Sequence, residues 1–161
     1  MSTKKKSISK NNKSSQHKNK NNMSVAVSKG KVADKADFAK TFVKQMLETV
    51  HMIKLYHWKT KSYATHKATD GLHGKLGDLV DRYVEVFVGK YDIDLKMNDY
   101  SSLTLKNIKD NQELEIFITE LISFLLHVHK KLDVEIDVDL FTLRDEIIAE
   151  LNQFLYLLRL K

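Results

Sequence analysis

Among its 161 residues the chain has no cysteine and no proline. Without cysteine there is no disulfide framework, no thiol chemistry and no thiolate metal site. Without proline, and with only five glycines, little stands in the way of long helices, which points to an all-α protein. Long hydrophobic runs are lacking too. Pairs such as Leu125–Leu126 with their neighbours fall far short of the ~20 apolar residues needed to cross a bilayer. The basic N-terminus is not followed by an apolar stretch, so it does not read as a secretory signal.

Acids are missing from one region altogether. Nine lysines precede Asp34, at 4, 5, 6, 10, 13, 18, 20, 29 and 31, and no acid accompanies them. Removing those nine from the 27 basic residues leaves 18 against 21 acids, a net of −3 for residues 34–161. The overall charge of +6 therefore averages a mildly acidic globule and a strongly basic arm. Residues 1–33, rich in Lys, Asn and Ser, carry too few apolar groups to offset the entropy of ordering and read as a disordered tail. Lys4, Lys5, Lys6, Lys10, Lys13, Lys18 and Lys20 would bind DNA, RNA or an acidic protein surface by counterion release, without reading sequence. A purely solubilising tail is the plainer alternative.

From Asp34 onward the apolar pattern is helical, and residues 34–161 read as one four-helix domain. A first helix is predicted to about Lys61, with Phe38, Phe42, Met46, Val50, Ile53 and His57 at steps of three or four. Ser62 is a candidate N-cap for a second helix running to Gly89, where glycine suits a left-handed terminus. A capping box at Asp110–Glu113 opens a third, which is apolar almost all round and expected to be the most buried. Asp137 or Asp139 opens a fourth. The link of about twenty residues between the second and third helices reaches ~66 Å when extended. It could therefore return along the bundle and leave those two helices parallel, a topology with one crossover, with room for a short helix on the way.

The side chains that carry chemistry lie close together. His57 stands beside Trp58 near the end of the first helix. In the second, His66, Asp70, Asp81 and Glu85 share an arc of roughly 100° at 100° per residue. Imidazole with paired carboxylates suits iron, manganese or zinc better than calcium. Each residue taken alone also has a plain reading, as a satisfied core histidine or part of a solvated face.

The stretch from His51 to Gly89, HMIKLYHWKTKSYATHKATDGLHGKLGDLVDRYVEVFVG, resembles the Dps mini-ferritins. In that family a His-Trp pair closes the first helix, and the second carries a His, an acid one turn on, then Asp and Glu. Asp70, Asp81 and Glu85 follow His66 at plus four, plus fifteen and plus nineteen. The corner between His57 and His66 is three residues shorter than is usual in the family and lacks its Gly-Pro turn. The chain also looks like ferritin-like proteins encoded by large DNA viruses.

The resemblance implies a ferritin-like four-helix bundle with a long crossover. It also implies a homo-oligomer, a dodecamer, built on a two-fold dimer. His57, His66 and Asp70 of one subunit would meet Asp81 and Glu85 of another to oxidise iron, with zinc or manganese as substitutes. Trp58 would intercept stray oxidising equivalents or pack at the dimer contact. Glu135, Asp137 and Asp139 would line an acidic iron-entry pore, or simply cap the fourth helix. Location would be cytoplasmic or nucleoid-associated, or a virion or viral factory for a viral member, and no membrane is involved. The alternative is a non-enzymatic, DNA-condensing structural protein on the same scaffold.

Two observations made without the family stand beside it. Gly71, Gly74 and Gly77 each cost about 1 kcal/mol in a helix, tolerable where another backbone or a metal comes near. Glu48-x-x-His51 and Asp70-x-x-His73 imitate half of a di-iron site inside a bundle. The fourth helix has no histidine, however, and the interior of the third is apolar. His127 and His129, two apart, face different ways and read as edge or surface residues.

Overall fold

The computed structural model describes residues 29–160, which form four helices and no strand. They are α1 (Lys29–Lys59), α2 (Tyr63–Tyr91), α3 (Asn111–His127) and α4 (Val138–Arg159). Residues 1–28, with the seven tail lysines from Lys4 to Lys20, lie outside the described residues.

Local chemistry sets most boundaries. Ser62 caps α2 by accepting from the Thr65 N–H at 3.3 Å. Asp110 caps α3 by accepting from the Glu113 N–H at 2.9 Å, and Glu113 in turn accepts from the Lys109 N–H at 2.9 Å. Both satisfy N-terminal amides that a helix leaves unpaired. Two boundaries depart from expectation. The first helix starts at Lys29, not Asp34, because one more turn costs little once a helix is nucleated. α2 runs past Gly89, which stays helical, and Asp92 takes the left-handed position with φ 52°. Aspartate tolerates that conformation better than most residues. α3 stops at His127 and tightens into a 3-10 turn over Val128–Lys131. It is also less enclosed than expected, since Ile116 and Leu126 are both about half exposed.

The core runs through the whole bundle. Phe42, Met46, Ile53, Leu76, Tyr83, Leu114, Ile118, Leu125, Leu140, Ile147 and Leu151 are almost completely buried. Phe42 stacks on Tyr83 at 4.3 Å between ring centres. Among the described residues the Tyr83 hydroxyl finds no hydrogen-bond partner, and burial pushes its pKa well above 10.

The link from Asp92 to Asp110 fixes the topology. It contains one 3-10 turn, Met97–Tyr100, and lies along α1. Lys40 bonds Asp99 at 2.8 Å, and Glu48 accepts from the Thr104 N–H at 2.8 Å. Met52 Sδ accepts from the Lys106 N–H at 3.3 Å, and Lys59 donates to the Ile108 carbonyl at 2.5 Å. From Lys40 to Lys59 a helix rises about 28 Å, and from Asp99 to Ile108 an extended chain covers about 30 Å. The two run in step, so the link climbs from the start of α1 to its end. α2 and α3 consequently run the same way, and α2 packs against α4 rather than α3. Both α2 and α3 begin at the end holding the α1–α2 corner, called the corner end below.

At the opposite end Asp137 is completely buried. Its carboxylate accepts from the Tyr91 hydroxyl, from the Asp133 N–H at 2.8 Å and from Lys35 at 3.2 Å, with Lys90 also at 3.2 Å. Burial pushes its pKa up. The hydrogen bonds from Tyr91, Asp133 and Lys90 and the charge of Lys35 outweigh that and hold it below 3.8. One carboxylate thus ties α1, α2 and the turn before α4 together. No helix among the described residues is long and apolar enough to cross a membrane.

Candidate metal half-site at the corner end

The three-residue corner Thr60–Ser62 brings the end of α1 against the start of α2. Across it His57 and His66 exchange hydrogen bonds: each Nδ1 lies 3.0 Å from the backbone carbonyl of the other. A carbonyl only accepts, so each Nδ1 carries the proton, which leaves each Nε2 with a free lone pair. The rings stack with centres 3.9 Å apart. Thr69, fully buried, sits 3.4 Å from His57 Nδ1 and donates to the Thr65 and His66 carbonyls at 2.8 and 3.0 Å. A backbone carbonyl holding the far nitrogen is the usual support behind a metal-binding imidazole.

Asp70 joins this pair. Its Oδ1 lies 3.8 Å from His57 Nε2, with the carboxylate half exposed while His57 is only 6% exposed. His73, three residues on, also belongs to the neighbourhood. Burial and the charge of Lys54 hold its pKa below 6.5, with Asp70 pulling the other way and His57 and His51 adding to the depression. The sequence gives His73 only as part of Asp70-x-x-His73; its helical spacing of seven from His66 was the available signal.

Asp81 and Glu85 are not in this cluster. Both are exposed on α2, about 16 and 22 Å beyond Asp70 at 1.5 Å per residue. Among the described residues no group of three or more His, Asp or Glu is arranged to hold a metal ion. One chain therefore presents two separated sets of donors, not a complete site.

The separation has a symmetry. His66 and Glu85 are equidistant from a point midway between Lys75 and Leu76, and so are Asp70 and Asp81, and Gly74 and Gly77. A Cβ added at Gly71, Gly74 or Gly77 would meet nothing within 4 Å. Packing among the described residues therefore does not require these glycines. Trp58 is 67% exposed, with Lys54 Nζ 5.8 Å from its ring centre.

The remaining candidates lie elsewhere. Asp137 is buried and fully engaged, and Asp139 pairs with Lys90 at 2.6 Å, while Glu135 is exposed. Beside Glu135 the turn exposes Val134, Ile136 and Val138. His127 and His129 are exposed and bond the Ser123 and Leu126 carbonyls at 2.7 and 2.5 Å. His51 is exposed and bonds the Leu47 carbonyl at 2.7 Å.

The chain belongs to the family of unknown function DUF5856, whose model matches residues 57–158. The match opens at His57 and takes in every candidate ligand through Glu85. No curated protein and no solved structure matches the chain significantly.

Proposed function

We propose that this chain is a Dps-like iron oxidase of ferritin-like topology, in which two copies complete each reaction site and further copies close a storage cage. The observation that carries the reading is the His57–His66 exchange, which leaves two lone pairs aimed away from their backbone anchors beside Asp70. The crossover that makes α2 and α3 parallel supports the same fold assignment.

The symmetry along α2 supports the second copy. In an antiparallel pair related by a two-fold axis between Lys75 and Leu76, His66 lies at the height of Glu85 from the other chain, and Asp70 at that of Asp81. Gly74 and Gly77 flank the axis, where backbones come closest. Fe(II) is the substrate. Carboxylates at such a site neutralise the higher charge of Fe(III) and favour its formation, and the imidazoles fix position. Peroxide taking two electrons balances without a free radical: two Fe(II), one hydrogen peroxide and two protons give two Fe(III) and two waters. Trp58 next to the site would intercept any stray oxidising equivalent. The oxidised iron would nucleate as ferric oxide within the cage.

The purified protein should oxidise Fe(II) faster than buffer, and Asp81→Ala with Glu85→Ala should abolish the excess while leaving the fold intact. Equal rates in wild type and double variant would reject the proposal.

The basic segment before Asp34 favours a second role, compatible with the first: condensation of DNA by outward tails on the same scaffold. Gel shifts should show tight binding at low salt that fades steeply as salt rises. Substituting Gln for Lys4, Lys5, Lys6, Lys10, Lys13, Lys18 and Lys20 should remove most of it; unchanged binding would exclude the tail.

A further inference from the structure

A neutral imidazole has two places for its proton, and at His57 the choice decides whether the ring can hold a metal. On Nδ1 the proton leaves the Nε2 lone pair free; on Nε2 it leaves nothing there to offer. The neighbours pull both ways. Asp70 Oδ1 lies 3.8 Å from Nε2, and a carboxylate favours a proton that faces it. On the other side the His66 carbonyl accepts from Nδ1 at 3.0 Å. His57 is buried, so these few groups, rather than water, settle the outcome.

A second group stands on the Nδ1 side: the Thr69 hydroxyl, completely buried and 3.4 Å away. A hydroxyl can donate or accept, and its own surroundings fix which. Thr69 Oγ1 lies 2.8 Å from the Thr65 carbonyl and 3.0 Å from the His66 carbonyl. Neither carbonyl can donate, so the single hydroxyl proton is committed to them. Only lone pairs remain to face His57, and they attract an N–H and repel a bare nitrogen. Thr69 also holds the His66 carbonyl oxygen, the same acceptor that His57 uses. The Nδ1 proton is thus shared between two acceptors in a three-centre arrangement. Thr49, buried in α1, makes the contrast: its hydroxyl donates to the Gln45 carbonyl at 2.8 Å, the ordinary bond of a helical threonine.

We propose that Thr69 is a positioning residue, which selects the Nδ1–H tautomer of His57 against the pull of Asp70 and so keeps Nε2 available to a metal ion. Its service to iron rests on the function proposed for this site; the tautomer itself does not. The test follows the imidazole nitrogen resonances of the full chain, with isotope-labelled histidines and no metal added, at about pH 8, where an ordinary imidazole is neutral. In the wild type His57 Nε2 should carry the signature of an unprotonated nitrogen. Thr69→Val keeps the shape and removes the lone pairs. It should raise the Nε2–H population about threefold or more, the order of what one neutral hydrogen bond is worth. Thr69→Ser should restore the wild-type spectrum, and Thr49→Val should leave it unchanged. A Thr69→Val spectrum like that of the wild type overturns the proposal, as does a shift that Thr49→Val reproduces. Iron oxidation is measured separately: its absence in a wild type with the expected tautomer rejects the iron reading and leaves the role of Thr69 standing.

Discussion

The two ends of the bundle solve opposite problems with similar residues. At the end opposite the corner, charged groups answer one another: Asp137 takes Lys35, Lys90 and Tyr91, Lys90 also takes Asp139, and Lys131 takes Asp34 at 2.8 Å. At the corner end, donors are held in place but not used up. His57 and His66 spend one nitrogen each on the backbone and keep the other, and Lys59 spends one proton on a carbonyl. A network that is satisfied internally adds rigidity and specifies one arrangement. Groups that are fixed with a donor or acceptor to spare are the ones the proposed iron site would use. The closed end holds the fold together, and the open end is where ligands are expected.

This contrast can be broken by substitution. Asp137→Ala should give the largest effect, a loss of about 3–5 kcal/mol in urea denaturation, because it removes at once the buried acceptor of the Tyr91 hydroxyl, the Asp133 N–H and the part-buried Lys35. A loss under about 1 kcal/mol would mean that the end is not locked by this carboxylate. Acid should act on the same group. Its pKa is lower in the folded chain than the ordinary 3.8, so its contribution is full above that value and drains away as pH falls through the folded pKa. Denaturation profiles should therefore steepen below pH ~4 in the wild type and flatten in Asp137→Asn. The smallest expected effect belongs to neither end. Tyr83→Phe removes the unpartnered hydroxyl from the middle of the core and should be neutral or stabilise by up to ~1 kcal/mol. A loss above that would reveal a partner for the hydroxyl, such as a buried water.

How much of this was readable beforehand depended on how local the cause was. Ser62 and Asp110 each act on an amide three residues away, so sequence spacing sufficed to name both caps. The long link was legible as a crossover because reach follows from residue count. From sequence Asp137 reads as a cap or pore residue, since nothing local reveals that its cationic partners are 102 and 47 positions away. The left-handed turn moved from Gly89 to Asp92 for a comparable reason: α2 carries Tyr91 on to Asp137, and a glycine offered only permission to stop earlier. At the candidate site, His57, His66 and Asp70 were named together and lie together. The mutual carbonyl bonds of the two imidazoles could not be inferred from spacing, nor could the buried Thr69 beside His57.

The strap along α1 has a consequence for how the chain reaches this state. α3 can find its seat only after the link has travelled the length of the bundle, which pairs residues some fifty positions apart. Closing such loops costs entropy before any packing repays it, and folding slows as the mean separation of contacts grows. The α1–α2 hairpin, joined by three residues, faces no such delay. The wiring thus favours the α1–α2 hairpin forming ahead of the strap that must span the bundle.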